Sequence, residues 1–240
     1  MPRFFSADIS GDRVCITGED AAHLARALRL KPGEQLTVCD GNGSDYLCTA
    51  CEVTSQLVTA QVVSRQRSAG EPPVPITLYQ ALCKGDKLEL IVQKAVELGA
   101  TQVVPVQTKR CVSRPESAAL ARKVERWQKI AAEAAKQSGR GRIPAIAQPL
   151  DFGEAISCMK KDPKAILFYE EATLPLGKAL GRPEGGISIM TGPEGGFEPE
   201  EVAHAEAQGV QICSLGPRIL RCETAPLCAL SIIAGVLEIL

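Results

Sequence analysis

The chain has 240 residues, 45% of them apolar, 23% charged and 4% aromatic, and its net charge is −1. That is enough apolar material for one large domain or for two with separate cores, and it excludes a disordered or fibrous chain. The opening MPRFFSADISGDRV has no apolar run and no cleavage pattern, and the longest apolar stretch, 226–240, is interrupted by Ser231, Gly235 and Glu238. It is too short to cross a bilayer, so the expectation is a cytoplasmic protein without a membrane segment.

The first 67 residues read as short strands at 14–17, 35–39, 46–53 and 58–65. Asp40-Gly-Asn-Gly is a hairpin signal between two of them. One helix interrupts, opened by Glu19 and Asp20, with Ala21, Leu24, Ala25 and Leu28 on a shared face. A small β-barrel over residues 1–70 fits this pattern. The prolines of the segment 68–75 refuse both helix and central strand and mark a linker. Cys48 and Cys51 form the one C-x-x-C among ten cysteines. No second pair or histidine stands at zinc-finger spacing, so packing thiols and no metal are expected.

From residue 76 strands and helices alternate. Strands are expected at 76–82, 103–106, 165–169, 187–190 and 211–215, and helices at 86–98, at 199–207 and after Thr224. Leu120, Val124, Trp127, Ala131 and Ala134 mark the apolar stripe of a long helix. The alternation predicts an α/β domain over 76–240 with a mostly parallel sheet. Charge is uneven: residues 84–142 carry a net +7, the residues before them −2 and those after −6. Such a basic middle is either a polyanion-binding face or a set of solvated helix faces.

Ligands of parallel sheets sit at the carboxyl ends of the strands. Two such ends are rich in glycine: the strand at 187–190 runs into Thr191-Gly-Pro-Glu-Gly-Gly-Phe197, and that at 211–215 into Gly216-Pro-Arg-Ile-Leu-Arg-Cys-Glu-Thr-Ala225. Glycines there let the backbone approach a ligand and present N–H groups to it. Thr224 is also a natural helix N-cap, with Pro226 in the first turn. No G-x-G-x-x-G or G-x-x-x-x-G-K-[ST] is present, which disfavours a dinucleotide fold or a P-loop. His23 and His204 fall in different expected domains and suggest no hydrolase.

The two loops, together with Met1-Pro-Arg-Phe-Phe, residues 23–33, Lys94-Ala-Val-Glu-Leu-Gly99 and Gln137-Ser-Gly-Arg140, resemble the RsmE family, the 16S rRNA (uracil-N3)-methyltransferases of the SPOUT class. The resemblance spans nearly the whole chain. It implies a PUA-like β-barrel followed by a trefoil-knot domain, S-adenosyl-L-methionine as cofactor, 16S rRNA of the small ribosomal subunit as substrate, and a homodimer. Cofactor contacts are expected from Leu167, Phe168, Thr191, Gly192, Pro193, Glu194, Gly195, Gly196, Leu215, Gly216, Ile219, Leu220, Arg221, Thr224 and Ala225. Cys222 stands where the family usually has threonine, and Phe168-Tyr169-Glu170-Glu171 is an unusual strand end.

Methylation of uracil N3 needs loss of a weakly acidic imide proton and in-line approach to the methyl group. Arg221 is the first candidate to stabilise the developing anion, with a pair to Glu223 or a phosphate as its other roles. Glu223 is a base only if its surroundings suit it; otherwise it orients a neighbour. Arg3, Arg26, Arg29, Lys109, Arg110, Arg114, Arg140 and Arg142 are the candidates to contact RNA, with helix capping or carboxylate pairing as the other reading of Arg140 and Arg142. A ribose-methylating SPOUT enzyme and a non-catalytic RNA-binding protein are the competing functions.

Overall fold

The computed structural model describes residues 3–181 and 184–239. Met1 and Pro2 of the opening motif, and Leu240, lie outside them. The chain forms two compact units: Met1–Glu71 with Ala135–Ile143, and Pro72–Ala134 with Pro144–Leu240.

The first unit is a curled sheet. Its elements are β1 (Arg3–Phe5), β2 (Ile9–Ser10), β3 (Arg13–Thr17), α1 (Gly18–Ala22), β4 (Gln35–Cys39), β5 (Ser44–Val53) and β6 (Leu57–Arg67). The strand order is β1-β4-β5-β6-β3-β2, antiparallel except where β1 runs parallel to β4. Alternating residues fill the interior: Val14 and Ile16 of β3, Leu36 and Val38 of β4, and Val58 and Ala60 of β6 are buried. Asp40 closes the β4–β5 hairpin, accepting from the N–H groups of Asn42 (2.8 Å) and Ser44 (3.0 Å). The short helix departs from its expected form. After α1 the chain widens into one π turn over His23–Ala27, with the Leu28 N–H donating to the His23 carbonyl. The wider turn keeps Ala21 and Leu24 in the core but rotates Leu28 out to solvent.

The segment 135–143 belongs to this unit because one carboxylate gathers it. Glu71 accepts from the Arg140 guanidinium (2.9 and 3.0 Å) and from the N–H groups of Gly141 and Arg142. Gly141 is required here, since a Cβ would sit 1.8 Å from the Ser68 hydroxyl. Arg3 completes the cluster, paired with Asp45 at 2.7 Å and donating to the Arg140 carbonyl.

The second unit is α/β. It contains β7 (Ile76–Ala81), α2 (Lys87–Glu97), β8 (Gln102–Gln107), α3 (Ser117–Gln137, whose last residues belong to the first unit), β9 (Ala145–Ile146), β10 (Leu150–Asp151), α4 (Phe152–Met159), β11 (Lys164–Phe168), α5 (Leu176–Leu180), β12 (Ile187–Thr191), α6 (Pro199–Ala207), β13 (Gln211–Cys213) and α7 (Thr224–Val236). The sheet order is β10-β8-β7-β12-β11-β13 with β9 also on β8, and every pairing is parallel. β7, β12 and β11 are buried nearly end to end, as central strands covered on both faces must be. α4 is an addition to the expected helices, although Asp151 and Glu154 form a capping box at its start. Among the described residues no helix is long and apolar enough to cross a membrane.

Candidate cofactor site and RNA-contact residues

Because β7, β12, β11 and β13 are parallel neighbours, their carboxyl ends lie on one edge of the sheet. A cavity of about 540 Å³ opens there. Its wall holds Thr191 to Phe197 from the β12 loop, Ser214 to Cys222 from the β13 loop, Phe168, Tyr169 and Glu170 from the end of β11, Lys87 from α2 and Ala225 from α7. Of the residues expected at a cofactor, two are elsewhere. Leu167 is fully buried in the core with Met190 and Phe197. Thr224 is off the wall. It also does not cap α7: it is the first helical residue, Glu223 holds the N-cap position, and no side-chain cap bond forms.

The β12 loop is fixed by a residue the sequence did not suggest. Gln80, fully buried on β7, accepts from the Thr191 hydroxyl at 2.6 Å and donates to the Gly192 carbonyl. A buried amide that satisfies both strand end and loop holds the loop's backbone in one place. Opposite it, Gly216 opens the β13 loop at φ +108, a conformation that side-chain-bearing residues rarely adopt. Its N–H donates to the Ser214 hydroxyl at 3.1 Å.

Charge on the wall divides into paired and unpaired cations. Lys87 lies 3.0 Å from Glu194 and 3.5 Å from Glu223. Burial pushes the Glu194 carboxyl up, but its own N–H, Lys87 and the Lys84 N–H outweigh it and hold it below the usual carboxylate range. The Cys222 thiol donates to Glu223 at 3.2 Å and, with the Glu223 N–H and Lys87, holds that carboxyl low as well. Glu223 is directed at Lys87 and at the Cys222 thiol. Arg221 is exposed and makes no ion pair among the described residues; its carbonyl accepts the Thr224 and Ala225 N–H groups. The pair with Glu223, the alternative to anion stabilisation by Arg221, does not form among the described residues.

The residues expected on RNA separate in the same way. Arg26, Arg29 and Arg142 are exposed on the first unit, and Arg142 donates to the Asn42 carbonyl. On the second unit Lys109 pairs with Glu200, and Arg110 with Glu198 while donating to the Gly195 carbonyl. Arg114 bonds the carbonyls of Cys111 and Lys109. Arg3 is committed to Asp45. Arg140 needs correction: its side chain is 3% exposed and joined to Glu71 at 2.9 Å. A guanidinium buried against a carboxylate is not offered to phosphate. Arg140→Ala is therefore expected to destabilise the first unit by about 3 kcal/mol, because it strands a buried carboxylate. Thermal melting should show the loss, and RNA affinity measured below the new transition should hold.

Comparison with known proteins decides the family. Residues 70–234 match an RNA methyltransferase domain and residues 16–55 an RNA methyltransferase PUA domain. Ribosomal RNA small subunit methyltransferase E of Bacillus subtilis is 36% identical over 239 residues, covering 94% of this chain and 91% of its own length. The Synechocystis protein of the same name is 38% identical, covering 94% and 74%. The chain belongs to the ribosomal RNA small subunit methyltransferase E family. Its fold class follows: a PUA domain and an α/β-knot methyltransferase domain. A methyltransferase E from Neisseria gonorrhoeae, solved bound to S-adenosyl methionine, is 32% identical with TM-score 0.87, covering 98% of this chain and 97% of that one. A putative methyltransferase from Legionella pneumophila, solved in complex with the same cofactor, is 29% identical with TM-score 0.83, covering 97% and 96%.

Proposed function

We propose that this protein transfers a methyl group from S-adenosylmethionine to N3 of a uridine in 16S ribosomal RNA of the small subunit, in the cytoplasm where ribosomes are built. The observation that carries the reading is the cavity at the carboxyl edge of the sheet, walled by both glycine loops in a member of this family. Its volume suits a nucleoside-sized ligand. Its wall fits the cofactor's chemistry: Phe168, Leu215 and Leu220 are apolar surface for a base, Ile219 is left 81% exposed at the lip, and Glu194 and Glu170 are anionic toward a sulfonium and an amino group.

Bound there, S-adenosylmethionine supplies an already electrophilic methyl group. The chain's own task is to hold the uracil in line, favour its anion and exclude other approaches. Arg221 is placed for the anion, since no carboxylate among the described residues neutralises it. Lys87 is already balanced by two carboxylates and instead ties the β12 and β13 loops together through Glu194 and Glu223. N3 lies on the Watson–Crick edge, so the target base must be unpaired or drawn from its stack.

RNA binding by the first unit rests on Arg26, Arg29 and Arg142, exposed on a PUA domain. Replacing Arg26 and Arg29 by alanine should flatten the log–log salt dependence of RNA binding, by about 0.7 for each phosphate of a single strand that is no longer neutralised. An unchanged slope removes these two residues from the interface. A homodimer rests on α7, whose buried face is Pro226, Ala229, Leu230, Ile233 and Ala234, while Ile232 and Val236 remain exposed. Exposed Leu90 lies on α2, which packs on α7. Sedimentation should give twice 25.5 kDa, and Ile232→Glu with Val236→Glu should give the single mass.

The functional reading is tested by transfer of labelled methyl to purified small subunits that lack the modification. Incorporation should level off near one methyl per subunit. No incorporation, with the cofactor demonstrably bound, would leave the protein a non-catalytic RNA binder.

A further inference from the structure

Three metal-ligating side chains from three segments meet beside the cavity. Cys83 follows β7, Glu194 stands in the β12 loop and Cys222 in the β13 loop. Their Sγ atoms and a carboxylate oxygen all lie within 4.8 Å of one another, and no other such trio occurs among the described residues. Both thiols are buried, at 4% and 6% exposure. The position already holds a cation: the Lys87 ammonium is 3.0 Å from Glu194 and 3.6 Å from the Cys222 sulfur.

We propose that Cys83, Glu194 and Cys222 bind a soft divalent cation of the zinc type, and that its binding closes the proposed cofactor pocket. Two thiolates and one carboxylate leave a fourth tetrahedral position for water, a donor set that selects zinc-like ions over magnesium or calcium. Ligand atoms around such an ion stand about 3.5 to 3.8 Å apart, from its bond lengths. The widest separation in the trio is no more than 4.8 Å, so a contraction of about 1 Å at most is needed, which side-chain rotation and small loop shifts supply. Lys87, about one third exposed, swings away from Glu194 and keeps Glu223. Both thiols ionise, so each cation bound releases two protons and displaces one ammonium, and uptake strengthens as pH rises. Glu194 and Cys222 are wall residues. Drawing them together narrows the cavity from its Lys87 side. The inference of competition rests on the cofactor reading above; the cation site itself does not.

The test uses the full-length protein, fully reduced with a non-thiol reductant. Cobalt(II) is titrated and followed by its thiolate charge-transfer band. Zinc is titrated with calorimetry of S-adenosylhomocysteine binding before and after. The expected result is one cation per chain, a cobalt band, and at least tenfold weaker S-adenosylhomocysteine binding in zinc. Cys83 lies off the cavity wall, so Cys83→Ala should bind S-adenosylhomocysteine normally while losing the band and the zinc effect. Cys83→Ser serves if the alanine variant does not fold. A band that survives in Cys83→Ala and in Cys222→Ser overturns the site, and zinc uptake without loss of S-adenosylhomocysteine affinity overturns the closure of the pocket. Absence of any cation uptake by the reduced protein also overturns the site. If the metal-free protein does not bind S-adenosylhomocysteine at all, the cofactor reading fails, and the cobalt band alone decides the cation site.

Discussion

Replacing Gly216 by valine is expected to leave the protein folded and to weaken S-adenosylhomocysteine binding about thirtyfold. A Cβ added at Gly216 meets nothing within 4 Å, so the fold has room for it. The backbone does not: φ is +108, a region that β-branched residues avoid at a cost of about 2 kcal/mol. The loop relieves that strain by moving, and the loop is cavity wall. A loss of about 2 kcal/mol is about thirtyfold in affinity. Calorimetry with a parallel melting curve checks it, and unchanged affinity in a folded variant would remove the β13 loop from the cofactor site. Gly195→Val also impairs binding, but by a different route. Its Cβ would stand 3.3 Å from the Arg110 Cβ, so the loss there includes the displaced Arg110 anchor.

Arg221→Ala is expected to lower methyl transfer about a hundredfold while changing S-adenosylhomocysteine affinity only a few-fold. Removing one donor that meets charge developing in a transition state costs about 2.7 kcal/mol or more in rate. Arg221 is suited to that role because it stands exposed on the wall without a carboxylate partner among the described residues, whereas Lys87 has two. Arg221→Lys should recover part of the rate, since an ammonium keeps the charge without the forked donors. Single-turnover transfer to small subunits separates this from binding. Full activity in Arg221→Ala would return the anion-stabilising role to another group.

The sequence revealed the site where the chemistry is local and concealed it where it is not. Thr191 to Phe197 and Leu215 to Ala225 are contiguous loops after strands, so glycine content and strand periodicity were enough to place them on the cavity, Glu223 and Thr224 aside. Lys87 and Gln80 act on the β12 loop across more than a hundred residues of sequence, and only the β7–β12 pairing brings them there. Arg140 misled for the same reason. Its charge was visible, but its partner Glu71 lies 69 residues away. Leu28 misled through local geometry, since the π turn breaks the spacing that put it on the core face. The Cys83–Glu194–Cys222 trio has no spacing signature at all, because each ligand comes from a different segment.

The central claim is methylation of one uridine at N3. The direct measurement is mass mapping of nucleosides in 16S RNA from unmodified small subunits incubated with the protein and S-adenosylmethionine. One fragment gaining a single methyl, yielding 3-methyluridine on digestion to nucleosides, is the predicted result. A methyl on ribose, or unmodified RNA with cofactor bound to the protein, would contradict it.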